Sequence, residues 1–262
     1  MKARITTDPW KINIDNQIEK FYQKYNYTKT NQIKFEIVDN IYERRLELIK
    51  NSQKEIEVTN ENKENLLKFN GHVVLGYTPN DCITVLFDRK KLLQDNYSWL
   101  GTIHHEYTHA HDYLELLHKL GLEKNDEIYN YEYRREYEFW TEFHARTLGS
   151  MNVYSNIYKN EIANNDSFCC RNLYEQNCKL LVTSISYLDY YNIAQCLGRH
   201  LTIKNLFGSI TPSLQSACDN YGVLEELIHL YKYLISHLSF SEVEFDELRN
   251  LLICVQTSIN QR

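Results

Sequence analysis

The chain has 262 residues, of which 43% are hydrophobic, and it carries a formal net charge of −6 at pH 7. A chain of this size can bury a core of its own, either as one domain or as a catalytic domain with a helical extension. The acidic balance gives no electrostatic attraction to nucleic acid, and no basic cluster with interleaved aromatic residues provides one locally. We therefore expect no nucleic-acid partner.

The start of the chain and its cysteines indicate the compartment. Residues 1–10 contain no apolar stretch, and Asp8 and Pro9 interrupt them, so a secretory signal is not expected. No run of the sequence is apolar and long enough to predict a membrane span. The seven cysteines form an odd set without CxxC spacing, which predicts reduced, mostly buried thiols rather than disulfides or a cysteine–zinc cluster. The sequence thus predicts a cytoplasmic protein.

The first part of the chain alternates predicted helices and strands. Helical periodicity predicts helices at 10–25 and 41–50, and a β-rich run predicts a strand at 33–38. Residues 51–65 are charged, rich in Asn and weakly periodic, which is typical of a surface connection or a soluble helix.

A β-hairpin is predicted next. The runs at 72–77 and 82–88 are rich in β-forming residues and are separated by the turn sequence Thr78-Pro79-Asn80-Asp81. An exposed strand edge of such a hairpin can hold an extended peptide by main-chain pairing.

The next segment carries the strongest chemical pattern of the chain, His105-Glu106-Tyr107-Thr108-His109. Apolar residues continue at helical spacing from about Ser98 to Lys119, which predicts one helix that ends at Gly121. Residues four apart share a helix face, so the two histidines can direct ring nitrogens to one point, with the glutamate beside it. Two neutral imidazoles suit Zn²⁺, and a carboxylate that does not ligate the ion can take a proton from its water. The competing interpretation is a pair of solvated or core histidines that arises by chance.

A catalytic zinc site usually takes three protein ligands, so a third donor is needed. One class of enzyme continues through a Gly turn to a third His, but here Glu115 stands six residues after His109 and no Gly intervenes. Another class brings a Glu from a second helix. The segment 131–146 is helix-compatible, and it offers Glu138 and Glu142 one turn apart, so the residues alone leave both open.

Four neighbouring polar residues receive weaker interpretations. Asp112 shares the face of the two histidines and can hold one imidazole through its second nitrogen. His104 and His111 point elsewhere on the helix and are expected at the surface or facing substrate. His144 is expected to be an ordinary, partly exposed histidine.

After Gly149 the sequence predicts almost only helix. The predicted helices lie at 169–188, 190–206, 221–238 and 241–259. Ser241 and Glu244 form a predicted capping box at the start of the last helix. The stretch around Gly198 faintly resembles a helix-turn-helix, but the absence of a basic recognition helix favours a plain helix.

These motifs resemble those of the gluzincin-like zinc metallopeptidases, in which a His-Glu-x-x-His helix is joined by a Glu from a following helix. The segment Glu142-Phe143-His144-Ala145 is similar to the Glu-x-x-Ala segment of the small bacterial and phage peptidases related to the ImmA/IrrE group. The resemblance covers about residues 70–150. The strand-rich stretch before the helix agrees with it.

The resemblance implies a ligand set of His105, His109 and Glu142 for Zn²⁺, with Glu106 as the catalytic base. A thermolysin-like arrangement would instead favour Glu138, with Glu142 in the place of the supporting Asp that follows four residues later. Arg146, four residues after Glu142, departs from that pattern.

The sequence therefore predicts an α+β fold, with a zincin-like catalytic region at 1–150 that carries a small β-sheet or hairpin before the active-site helix. An all-α region at 151–262 is expected to pack on it or extend it. The expected function is zinc-dependent hydrolysis of peptide bonds in a peptide or protein substrate. The alternative is a non-catalytic metal-binding or regulatory protein, in which a fourth protein ligand such as Glu138 or Asp112 closes the site.

Overall fold

The computed structural model describes residues 9–51, 70–94, 97–221 and 225–261. It divides into two compact units, Met1–Asp126 and Glu127–Arg262. The division into functional regions at residue 150 stays a prediction, because a compact unit and a functional region need not share a boundary. The predicted connection at 51–65 lies, except for its first residue, outside the described residues.

The first unit combines helices with a small sheet, in the predicted order except for a short helix at Arg89–Gln94 that was not predicted. Its elements are α1 (Pro9–Tyr25), β1 (Ile33–Val38), α2 (Ile41–Asn51), β2 (Gly71–Val74), β3 (Ile83–Asp88), α3 (Arg89–Gln94) and α4 (Ser98–Leu120). A 3₁₀ helix follows at Asn125–Asn130.

The three strands form one sheet in the order β1-β3-β2. β2 pairs antiparallel with β3, as the predicted hairpin requires, and β1 pairs parallel with β3. In the turn between β2 and β3, the N–H of Asp81 donates to the carbonyl of Thr78 at 3.0 Å. β2 begins one residue earlier than predicted, at Gly71, and ends at Val74 rather than at residue 77. Beyond its end, a Cβ on Gly76 would lie only 2.3 Å from the Cβ of Asp81.

β3 forms the centre of this unit. Consecutive residues of the strand, Val85, Leu86 and Phe87, are fully buried, which is typical of a strand covered on both faces. On one face Leu86 packs with Ile41 and Ile49 of α2. On the other face the sheet contacts α4, the helix that carries the His-Glu-x-x-His sequence.

The second unit is entirely helical among its described residues. Its helices are α5 (Arg134–Ile157), α6 (Lys159–Ala163), α7 (Ser167–Ser186), α8 (Tyr190–Phe207), α9 (Leu214–Tyr221), α10 (Glu226–Ser236) and α11 (Phe245–Asn260). Asp166 caps α7 by accepting from the N–H groups of Phe168 and Cys169. Residues around Gly198 lie within α8, so the plain helix predicted there is confirmed.

The predicted capping box at Ser241 and Glu244 is wrong. The box consists of Ser239 and Glu242, and it opens a 3₁₀ turn at Phe240–Glu242 rather than the last helix. All seven cysteines are free thiols, as predicted, but only three of them are buried: Cys170, Cys178 and Cys196. In the described parts of the chain, no helix combines the length and the apolar character that crossing a membrane requires.

Candidate metal centre

The two histidines of the motif converge because α4 runs without interruption through them. The helix ends where the sequence predicts, at Gly121, which adopts the left-handed conformation with φ 59° and donates its N–H to the carbonyl of Leu117. One turn apart on this helix, the Nε2 atoms of His105 and His109 lie 3.0 Å from each other. The two rings are nearly perpendicular, at 87°.

This separation suits two ligands of one ion. Two imidazole nitrogens bound to a tetrahedral Zn²⁺ lie about 3.3 Å apart, for Zn–N bonds of about 2.0–2.1 Å. The nitrogens of His105 and His109 are therefore within a few tenths of an ångström of a chelating geometry. At the same distance they can also share one proton when no ion is bound.

Glu142 is the third member of the group of potential donors. One ligand atom from each of His105, His109 and Glu142 lies within 4.8 Å of the others. His105 and Glu142 are buried, with 8% and 5% of their surfaces exposed. This buried group can hold a metal ion, since two imidazole nitrogens and one carboxylate oxygen form a common donor set for divalent cations.

Glu138, the alternative ligand, points to solvent. Its Oε1 accepts from the Nε of Arg134 at 2.7 Å, and about half of its side chain is exposed. An exposed carboxylate in an ion pair one turn away on the same helix needs no metal to compensate its charge. The geometry therefore favours Glu142 over Glu138.

Glu106 lies against strand β2. A Cβ built on Gly71 would stand 2.7 Å from the Cγ of Glu106 and 2.9 Å from the Cγ2 of Thr102. Only glycine allows the strand backbone to come this close to the stem of the glutamate. Glu106 is half-buried and is not one of the three residues that cluster as donors. Its role as a base stays a prediction.

The expectation that His104 and His111 face solvent or substrate is wrong. They are 0% and 5% exposed, because aromatic side chains of α1 and that of Tyr27, two residues after the end of α1, cover this face of α4. His104 packs edge-on against Phe21, and His111 stacks on Tyr27 while its Nε2 lies 3.1 Å from the hydroxyl of Tyr22. Burial lowers the pKa of His104 to about 3 and that of His111 to about 4, so both are neutral at pH 7.

His144 is likewise buried rather than partly exposed. Its ring packs against the indole of Trp140 with centroids 5.1 Å apart, and the Nε1 of Trp140 donates to the carbonyl of His237 at 2.8 Å. His144 is thus a packing residue of the helical unit.

Asp112 is buried on α4, with 2% of its surface exposed. Its negative charge adds to the burial that raises the pKa of Tyr27 and opposes the burial that lowers the pKa of His111, so Asp112 lies near these two aromatic residues. Its predicted role in orienting a ligand histidine stays a prediction.

The sequence interpretation overlooked His72. This residue of β2 is half-buried, and its pKa is lowered to about 3 by loss of solvation, then by the positive charges of Arg45 and His109. A neutral imidazole thus stands near His109 on the strand that approaches Glu106. The sequence feature that could have indicated it is a histidine in the predicted hairpin that precedes α4.

Comparison of the chain with protein-family models, with curated protein sequences and with solved structures found no match.

Proposed function

We propose that this protein is a zinc-dependent hydrolase of peptide bonds, with a zincin-like first part, in which His105, His109 and Glu142 hold the ion and Glu106 is the base. The observation that supports the proposal is the convergence of donor atoms from three residues within 4.8 Å. Glu106 directly follows one of them, His105, on the same helix. A peptide or protein is the substrate.

The donor set fits a catalytic zinc ion. Two histidines and one glutamate are one of the ligand combinations that hydrolytic zinc enzymes use, and three protein ligands leave a coordination position for water. Among the described residues the group has three members, and the acid nearest to Glu142 along the helix, Glu138, is engaged at the surface.

A bound Zn²⁺ would lower the pKa of a water molecule to about 7 and polarise the carbonyl of the scissile bond. The remaining work belongs to Glu106. Its carboxylate accepts a proton from the attacking water and then passes that proton to the nitrogen of the leaving amine. The contact of its stem with Gly71 restricts the positions from which it can do so.

The sheet supports a peptide as the substrate. β2 is an edge strand of the described sheet, and its first residue lies against Glu106. An extended chain that pairs with such an edge is held by its main chain, so that specificity comes from alternate side chains. Pairing with β2 would bring a peptide bond beside the base.

A non-catalytic metal-binding or regulatory protein is the second candidate, and one variant separates the two. Glu106→Gln keeps the shape of the side chain and removes the base. We expect wild-type protein and this variant to bind about one Zn²⁺ per chain, and we expect only the wild type to cleave a library of quenched fluorescent peptides.

Two double variants serve as controls. One is His105→Ala/His109→Ala, and the other is His118→Ala/His229→Ala. The double variant at His118 and His229 removes two exposed histidines and should keep zinc binding and peptide cleavage. The double variant at His105 and His109 should lose zinc binding and peptide cleavage. Full peptide cleavage by Glu106→Gln would refute the assigned mechanism. Zinc bound without cleavage by the wild type would favour the non-catalytic alternative.

A further inference from the structure

Within the helical unit, α5 and α8 approach each other closely at Gly198. A Cβ at this position would stand 2.6 Å from the carbonyl oxygen of Phe143 and 3.1 Å from the Cβ of Arg146. The hydroxyl of Thr202 donates across the same contact to the carbonyl of Thr147 at 2.9 Å. The two helices thus form a fixed platform, and the residue after Gly198, Arg199, stands beside Arg146.

Neither guanidinium meets a carboxylate. The Nη2 of Arg199 donates to the Oε1 of Gln195 at 2.9 Å, and its Nη1 lies 3.8 Å from the Sγ of Cys196, both uncharged partners. The Nε of Arg146 is buried and has no hydrogen-bond partner. In the described part of the chain, no acid comes within ion-pair distance of either arginine, although both remain partly exposed.

The groups around the two arginines do not neutralise them. Burial raises the pKa of the Cys196 thiol and of the Tyr154 phenol, so both are uncharged at neutral pH even though both arginines act in the opposite direction. Burial lowers the pKa of Arg199 most, and the charge of Arg146 lowers it further. The charge of Glu142 acts in the opposite direction and is the smallest of these effects. Two like charges are therefore held together where solvent screens them poorly.

We propose that Arg146 and Arg199 form a binding site for an oxyanion, the carboxylate or phosphate group of a ligand. The planar fork of arginine matches both groups, and two forks from neighbouring helices can hold one anion from two sides. A bound anion would add compensating charge, since the carboxylate that acts on the pKa of Arg199, that of Glu142, has the weakest effect on it. The charges of both arginines act on the pKa of Tyr154, so its neutral hydroxyl lies near them and can be a further hydrogen-bond donor.

This proposal does not rest on the hydrolase proposed above, because the two arginines and their partners contribute no donor to the metal group. It is tested without any measurement of activity. The thermal unfolding midpoint of the full-length chain is measured in sodium chloride, sodium phosphate and sodium acetate at equal ionic strength and pH. Isothermal titration then gives the dissociation constants of phosphate and acetate.

We expect phosphate or acetate to raise the midpoint of the wild type above its value in chloride, because a ligand that binds only the folded state stabilises it. A rise with phosphate alone identifies a phosphate site, and a rise with acetate alone identifies a carboxylate site. Arg146→Gln and Arg199→Gln should each abolish the rise. Arg171→Gln, which removes an exposed arginine of α7, carries the same charge change and should keep it.

Two further variants exclude a merely structural role. Arg146→Lys and Arg199→Lys keep the charge and lose the fork, so we expect phosphate or acetate to bind at least about tenfold more weakly, which corresponds to about 1.4 kcal/mol. In chloride the Gln variants should be as stable as the wild type or more stable, since they remove the repulsion between like charges. An unchanged midpoint of the wild type in both anions, or an equal rise in the Gln and Arg171→Gln variants, would overturn the proposal.

Discussion

The third ligand is the residue that the sequence left open and the geometry favours most clearly. Glu142→Ala should weaken zinc binding by far more than the roughly 10–100-fold loss that is typical of a supporting residue outside the ligand set. Glu138→Ala should leave zinc binding almost unchanged, because its ion pair with Arg134 lies at the surface, where such pairs contribute about 0.3–0.5 kcal/mol.

Competition with a chromophoric zinc chelator measures both dissociation constants. The two variants remove the same carboxylate from the same helix, one turn apart, so each is the control of the other. If Glu138→Ala loses the metal and Glu142→Ala keeps it, the ligand assignment is reversed and the centre is closer to a thermolysin-like arrangement.

For single residues, the sequence predicted the convergence of His105 and His109 better than it predicted the surroundings of the neighbouring histidines, and the reason is physical. The separation of His105 and His109 depends only on helix geometry, which the sequence determines locally. The environment of His104 and His111 depends on which other element covers their face of α4. Phe21 of α1 and Tyr27, which follows α1, do so, and no local pattern around the two histidines indicated that contact.

At the scale of elements, the contact between β2 and α4 should govern activity more than stability. In Gly71→Ala the new methyl group would meet the Cγ of Glu106 at 2.7 Å, and the flexible glutamate would move to make room. A displacement of about 1 Å at a reacting group can cost about 100-fold in rate. We expect a loss of this order in peptide cleavage with zinc content unchanged. Cleavage equal to the wild type would show that the strand does not position the base.

The contact between α5 and α8 should instead govern stability. Gly198→Ala would place a methyl group 2.6 Å from a backbone oxygen, which cannot move as the end of a side chain can. Overpacking of this kind costs about 1–3 kcal/mol, whereas replacing Gly by Ala in an exposed helix is stabilising by about 1 kcal/mol. Urea denaturation should show the loss. A variant as stable as the wild type would mean that the helices can separate at this point at little cost.

The longer elements were largely predictable from periodicity, whereas several boundaries were not, and the start of the last helix shows why. Ser239 and Ser241 are each followed three residues later by a glutamate, so both positions fit the capping-box pattern. The structure uses Ser239, in a 3₁₀ turn that begins at Phe240 and is followed by α11 from Phe245. Both phenylalanines are buried, and burying them together decides between two locally equivalent boxes.

At the scale of the whole molecule, the class of fold followed from the sequence, and its division did not. Alternating strands and helices followed by helices alone predicted an α+β chain, and the described residues contain a three-stranded sheet in an otherwise helical chain. The division after Asp126 reflects contacts between residues distant in sequence. Periodicity carries no information about such contacts, so the sequence interpretation placed its own boundary by function.

Buried histidines in both units should make stability depend on pH. Burial lowers the pKa of His104 to about 3, and those of His111 and His200 to about 4, below the value near 6.5 expected in the unfolded chain. Between these values the unfolded chain binds more protons than the folded one, so the free energy of unfolding rises with pH and falls as the pH is lowered from about 6.5. Each histidine contributes at most about 1.4 kcal/mol per pH unit in this window.

Urea denaturation at pH 7, 6 and 5 in the presence of a chelator measures this dependence without a contribution from bound metal. His200→Phe keeps an aromatic ring between Tyr174 and Tyr231 and removes one titrating group, so the slope against pH should become shallower by about the contribution of one histidine. His118→Ala, which removes an exposed histidine, is the control and should keep the slope of the wild type. A free energy of unfolding that does not change between pH 7 and pH 5 would show that these histidines do not remain neutral in the folded chain.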